Sequence, residues 1–596
     1  MSALRCGNPF ASSAAGKAAM RRRWCVDAGT VDTRCTRMRS GSRLAVLLAI
    51  LVSVLFAPSG FAADGAVERA LRDEMQRSLK QLRVAGDAKP YFIAYAVEEI
   101  DQLEAQASLG AMGFSGRRSY RYGRVDLRVG DAQLDSSRMA GRQPVLMELA
   151  AEDDYDAIRR SFWLATDRAY KQAVEDLAAK RGVLAARDEQ DRQPDQTPAP
   201  VLHAADEGAK PVPFDVERAQ ALVRELSRVF ADYRELEQSQ VWLSLRTRHA
   251  YFLDSEGTTV ERRVPEIVFG AVARARADDG LSVWDYETIG LRDLNELPSR
   301  EKLEPRLRDL AVRVIAQRKA ARLADDYTGP ILFTGDAAAN LFGGHFAEQL
   351  WPAPRTYSSK GASASTGSLE RRTGSPVLPP GIGVSDDPTR VRFGDTDLLS
   401  AFKVDDEGVA ASRKELVVNG RLKQVLCTRA PVGRHCSPGN NRSGAPFGST
   451  VELHAAQGKT DAALEADLQR MAGEAEQPYA LEIERLNSND ALQRLLTGSN
   501  NNWLGGGSNG EVVLRATLRY RDGRKVPVRN VRLGQVDLRD FRTIVGFGDT
   551  PSLYMRAYGD RQVSFVAPAL LFEELTAGDD RSSTVKPPLL KSPLAK

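Results

Sequence analysis

Val404-Asp405-Asp406-Glu407-Gly408-Val409, followed at short range by Val418-Asn419-Gly420-Arg421-Leu422-Lys423, is the stretch on which the reading of this chain turns. Glycine lets the backbone enter conformations closed to other residues, and Asn-Gly between apolar residues is a strong hairpin signal. The segment therefore predicts short strands joined by tight turns. Strand signals continue around it from Val391 to Val566, with another turn at Asp522-Gly523. A helix is predicted over Asp461 to Ala475, and a shorter one near Leu538 to Val545. The paired Asp405 and Asp406 could be acid/base carboxylates. In a turn, carboxylates of this kind more readily hold the bend or bind backbone N–H groups.

Upstream, the pattern changes to mixed helix and strand. Helical spacing of apolar residues is found over Ala66 to Leu82, Tyr155 to Leu184, Val216 to Tyr233 and Glu304 to Leu323. Strands are predicted over Tyr91 to Val97, Leu103 to Leu109, Arg121 to Val129, Gln240 to Leu253 and Glu266 to Ala275. Pro330 to Phe333 reads as a short buried strand leading into a helix over Asp336 to Leu350. The expected fold class is α+β: a mixed α/β N-terminal domain over 64–351 followed by a β-rich, barrel-like C-terminal domain over 381–575. Composition predicts a flexible loop at 188–212, a low-complexity linker at 352–380 and a disordered tail at 576–596.

The first 63 residues read as a leader. Arg39 and Arg43 precede the apolar run Leu44 to Phe56, and Gly60-Phe61-Ala62 supplies the small residues of a cleavage site. That is a signal peptide cut near Ala62/Ala63, with Met38 a candidate translation start. The run is too short to span a membrane, which takes roughly 18 or more apolar residues. The expected destination is the periplasm or the exterior. The leader holds nine of the 83 Lys and Arg but two of the 79 Asp and Glu, so the remainder carries a net −3. No electrostatic footprint for nucleic acid is left. Only Cys427 and Cys436 survive processing. They could form a disulfide, stay as two packed thiols, or join His435 at a metal, although their spacing matches zinc sites poorly.

Taken in order, these motifs resemble the TldD/PmbA family of peptidases. Asp405-Asp406-Glu407-Gly408 with Asn419-Gly420 is similar to that family's C-terminal "DDEG…ENG-x-L-K" hairpin. Leu253-Asp254-Ser255-Glu256-Gly257-Thr258 looks like its "NS-x-G" turn. Gly505-Gly506-Gly507-Ser508, with strands around Asp522-Gly523 and Pro527-Val528, resembles its terminal module. The likeness runs from about residue 65 to 570. It implies an α/β N-terminal domain, a barrel-like C-terminal domain and a dimer enclosing a chamber, with zinc peptidase activity in one subunit type.

The chain departs from that pattern where the chemistry is done. Active members carry His-Glu-x-x-x-His on the helix after a short strand, two imidazoles for Zn²⁺ and a glutamate for the bound water. Here the matching stretch offers Ala339, Asn340, Gly344 and His345. No histidine of the chain is followed by glutamate, and the third ligand, a cysteine expected near Arg515 to Leu518, is missing. His345 and Glu348 are weak metal candidates, as three-apart pairs are usually surface contacts. His435 with Cys436 is a poor nucleophile pair, because adjacent side chains seldom meet productively. The resemblance therefore implies a zinc-motif-less subunit in peptide processing, homo- or heterodimeric with another TldD/PmbA-type subunit, without zinc of its own. Two alternatives are an active peptidase with unconventional ligands, such as His345, Glu348, His435 and His454, and a stand-alone envelope binding protein.

Overall fold

The computed structural model describes residues 65–83, 88–186, 192–205, 215–358, 361–362, 369–433, 435–487, 512–559, 561–580, 590 and 593. The leader, Gly505 to Ser508 and most of the tail lie outside them.

The first half is one sheet covered by helices on one face. Strands β1 (Pro90–Ser108), β2 (Ala111–Val129), β3 (Val145–Glu148), β4 (His203–Ala204), β5 (Leu236–Asp254), β6 (Thr259–Arg276) and β7 (Ser282–Leu291) run in the order β3-β2-β1-β5-β6-β4, with β7 on β6. β1 is one strand of 19 residues, not the two expected. Its polar middle, Glu98 to Gln102, stays extended because β2 and β5 pair with it on both sides. β7 was not anticipated. Odd-numbered residues of β1 and β5, such as Ile93, Tyr95, Leu103 and Leu243, face the helices. Helices α1 (Ala66–Gln81) and α2 (Tyr155–Ala185) cover one half of that face, and α3 (Val216–Ser227) and α4 (Arg300–Lys319) cover the other. Asp154 and Asp215 cap α2 and α3 by accepting the amides of Ala157 and Arg218. α4 ends four residues before the expected Leu323, because Ala321 and Arg322 are drawn into the second sheet.

That second sheet has twelve strands. They are β8 (Ala321–Arg322), β9 (Tyr327–Phe333), β10 (Ile382–Asp386), β11 (Lys414–Val418), β12 (Arg421–Leu422), β13 (Thr450–Ala455), β14 (Tyr479–Leu486), β15 (Val513–Tyr520), β16 (Lys525–Arg529), β17 (Val531–Leu533), β18 (Ile544–Tyr558) and β19 (Arg561–Asp579). The order is β12-β11-β10-β13-β19-β9-β14-β15-β16-β8, with β17 and β18 also paired to β19. The last strand in sequence is thus central, flanked by β13 in parallel and by β9 in antiparallel register. Helix α5 (Gly335–Leu341) and its continuation pack on one face, and α6 (Asp461–Glu474) packs through Leu464 and Leu468 on Leu332 and Leu571. Near Leu538 to Val545 only a 3₁₀ turn, Asp540–Thr543, precedes β18.

Four expectations about boundaries and linkers change. The second sheet begins at Ala321, ahead of the 352–380 segment, since β9 pairs with both β14 and β19. That segment is not a solvated linker where it is described: Tyr357, Leu369, Val377 and Leu378 are buried. The 188–212 stretch likewise buries Asp195 and Gln196, because Asp195 pairs with Lys180 at 2.7 Å. The tail begins later than residue 576, as β19 runs to Asp579 against β17. Among the described residues, no helix is long and apolar enough to cross a membrane.

Candidate functional site

Even-numbered residues of the first sheet face the second domain. Trp242, Val272, Trp284 and Tyr286 pack there on Leu514 and Ala557, while nearer β2 the same face carries charge. Two turns meet at that charged end, and they are chemically alike. In Leu253 to Thr258, the Asp254 Oδ1 accepts the amides of Glu256 at 2.9 Å and Thr258 at 3.0 Å. In Val404 to Val409, the Asp405 Oδ1 accepts those of Glu407 and Val409, both at 2.9 Å, and its Oδ2 accepts Asn441 N at 2.9 Å. Gly408 has a positive φ of 75°. A Cβ there would stand 2.6 Å from Thr258 Cγ2, so the two turns touch. Arg429 joins them: its amide donates to Glu407 at 2.8 Å and its guanidinium pairs with Glu256 at 2.7 Å. Asn419 and Gly420 form the hairpin turn between β11 and β12, with φ of 50° and 74°, and Asn419 Oδ1 accepts Gly381 N at 2.6 Å.

Asp406 faces the other way from Asp405 and meets arginines. Arg262 and Arg561 donate to its carboxylate, the latter at 3.0 Å, and Arg124 donates to its carbonyl at 3.1 Å. Burial opposes its charge, yet Arg262 and Arg561 outweigh burial and hold it well below the usual carboxylate range. For Asp405, burial and then the Glu407 carboxylate push the group up to about 7. Burial also brings Arg442 down to about 10, helped by Arg561, Arg248 and Arg262 beside it. These arginines carry the junction, and sequence reasoning did not single them out; each stands in a strand or loop with no motif around it. Close by, Cys427 and Cys436 form a disulfide, with Cα atoms 5.7 Å apart.

The helix in place of the catalytic one lies elsewhere, on the second sheet. Ala337, Ala338, Ala339 and Leu341 are fully buried in α5, and Asn340 is nearly so. The helix then widens into a π-turn over Phe342–Phe346 and tightens into a 3₁₀ turn over Ala347–Leu350. A π-turn closes i→i+5, so Asn340 and His345 lie about one turn apart. His345 Nδ1 meets the Val536 carbonyl at 3.0 Å. Glu348 instead pairs with Arg556 at 3.0 Å and accepts from Tyr558, so the two weak candidates are drawn to different partners. His454 is exposed on β13, and His435 is exposed beside the disulfide, its carbonyl accepting Val425 N at 3.3 Å.

Residues 326–482 match the sequence profile of the PmbA/TldA metallopeptidase C-terminal domain. Over these residues the chain is similar to the TldD/PmbA family's C-terminal domain. Solved structures share the fold. A protein described as a putative modulator of a DNA gyrase from Thermotoga maritima has 13% identity and a TM-score of 0.53, over 86% of this chain and 100% of that one. TldE from Thermococcus kodakarensis has 16% identity and a TM-score of 0.52, over 85% and 100%. A protein described as a putative modulator of DNA gyrase from Bacteroides thetaiotaomicron has 13% and 0.52, over 86% and 98%. Among curated proteins none matches the chain.

If His345, the histidine of this helix and its continuation, is taken as the second histidine of a His-Glu-x-x-x-His pattern, Asn340 and Leu341 stand at the first two positions. The side chains do not fit a catalytic zinc. An amide and one imidazole replace two imidazoles, and Leu341, fully buried, stands where the glutamate belongs. β15, where the third ligand is expected, carries Arg515 and Thr517 bound to Glu484. Among the described residues, no group of three or more His, Cys, Asp or Glu is placed to hold a metal ion.

Proposed function

We propose that this chain is a non-catalytic TldD/PmbA-type subunit, exported to the periplasm or beyond, that acts in peptide processing beside another subunit of the family. The observation that carries the reading is the helix and π-turn at 335–346. It keeps the five-residue spacing from Asn340 to His345 but presents an amide, a buried leucine and a single imidazole. A zinc-bound water needs about three protein ligands and a proton acceptor, and this helix supplies one ligand and no acceptor. Paired with a metal-bearing subunit, such a chain would contribute chamber wall and substrate contacts.

The test is metal analysis of the purified mature protein, together with a peptide-hydrolysis assay. Zinc well below stoichiometry after dialysis, with no hydrolysis by the isolated chain, is expected. Equimolar zinc that survives dialysis, with activity lost in His345→Ala, would refute the proposal and favour a peptidase with unconventional ligands.

A further inference from the structure

The Cys427–Cys436 disulfide closes a loop across nine positions, and inside that loop sits Arg429, with only 2% of its surface exposed. Each arm of Arg429 reaches a different part of the chain. Its amide donates to Glu407 of the Asp405 turn at 2.8 Å. Its Nη1 and Nη2 pair with Glu256 of the Asp254 turn at 2.7 and 3.1 Å. Its Nε donates to the Thr197 carbonyl at 3.0 Å, and its own carbonyl accepts the Thr197 amide at 2.7 Å and hydroxyl at 3.0 Å. The guanidinium lies 5.4 Å from the centre of the Phe92 ring on β1. One residue thus joins the first sheet, the Asp405 turn and the 192–205 segment.

A buried guanidinium is stable only while its partners are held around it. Those partners are 22, 173 and 232 positions away in sequence, so the restraint local to Arg429 is the loop it sits in. At the neck of the loop, Val425–Leu426 pairs with Cys436–Ser437 over two residues of parallel ladder, too few to stay closed alone. The disulfide supplies the rest by limiting the conformations open to the loop. Its two sulfurs differ in access. Cys427 is 1% exposed, whereas Cys436 is partly exposed and follows the exposed His435. An attacking thiolate therefore meets Cys436.

We propose that Cys427–Cys436 is a redox latch on the junction between the two domains. Oxidised, it holds Arg429 in place; reduced by a dithiol, it releases Arg429 and with it the 192–205 segment. One thiolate of the dithiol attacks Cys436 Sγ, the bond between the two sulfurs breaks, and Cys427 leaves as thiolate with the electron pair. The second thiolate of the dithiol then displaces Cys436. The dithiol ends as a disulfide, and its two protons end on Cys427 and Cys436. The proposal goes beyond the subunit reading and does not rest on it, because the latch acts on the fold and involves no metal.

Hydrogen exchange on the full mature chain, before and after treatment with dithiothreitol, tests it. Two thiols should become alkylatable, and exchange over 192–205 and 428–433 should rise at least about ten-fold. Exchange over the β1 core at 93–97 should stay unchanged, with a cooperative melt retained. Reoxidation should restore the starting rates. The Cys427→Ser/Cys436→Ser double variant should exchange like the reduced chain and ignore dithiothreitol. Arg429→Lys, which cannot serve Thr197 and Glu256 together, should loosen 192–205 with the disulfide still closed. A disulfide that dithiothreitol cannot open in the folded chain overturns the proposal, as does opening with no change over 192–205. Loss of the cooperative melt on reduction overturns it too, because the bond is then a staple of the whole fold.

Discussion

Asp405 and Asp406 are neighbours, yet their surroundings set them to opposite tasks. Asp405 turns inward to three backbone amides, and burial with Glu407 raises it to about 7. Asp406 meets Arg262 and Arg561 and is held low. The two act on stability in opposite senses. A carboxyl near 3.9 when unfolded and near 7 when folded stabilises the fold below about pH 4, and that contribution is lost as pH rises to 7. Asp406 contributes above about pH 4 and loses its contribution as pH falls below that. Asp405→Asn should therefore flatten the decline in stability between pH 4.5 and 7.5, measured by urea unfolding at both. Parallel slopes in variant and parent would show that Asp405 does not titrate there. The Asp-x-Glu-Gly chemistry of both turns was legible in sequence, because a short acid before glycine has few other uses. The arginines that grip them were not, since nothing local distinguishes Arg429 from an exposed arginine, and only the fold brings it to Glu256 across 173 positions.

At the scale of elements, periodicity served well where one face is apolar, as in α1, α2 and α6. It misled where the polar face is also buried. On β2 the alternation of Val125, Leu127 and Val129 with Arg124, Asp126 and Arg128 reads as core and solvent, yet the polar side abuts the second domain and Arg128 is buried. The α5 segment gives a sharper test. Restoring the family motif with Asn340→His and Leu341→Glu should yield no zinc enzyme. The carboxylate introduced in place of Leu341 would enter a fully buried site and destabilise the domain by about 3 kcal/mol or more, seen as a lower melting temperature or loss of soluble protein. A stable double variant that gains equimolar zinc would contradict this account of the helix. The disulfide belongs to this scale as well. Closing a short loop, Cys427–Cys436 should stabilise the fold by about 2–3 kcal/mol. In protein isolated without reductant neither thiol should alkylate, and labelling of both would mean that they are free.

For the whole molecule, composition was a poor guide to the segments it marked as linkers. Serine-, proline- and aspartate-rich stretches at 188–212 and 352–380 read as solvated, but a few residues in each, Asp195 and Leu369 among them, anchor the backbone inside. The leader reading generates its own test: N-terminal sequencing of envelope-fraction protein should start near Ala63, and an intact cytosolic chain would end the export proposal. The central place of β19 also has a consequence in time. Its partner β9 leaves the ribosome long before it does, with 234 positions from Tyr327 to Arg561 (561 − 327). At roughly 5–20 residues per second, synthesis of that interval takes on the order of 12–50 s. Throughout it the second sheet lacks its middle, so its early strands wait as open edges and that domain stays unfinished until the last strand arrives.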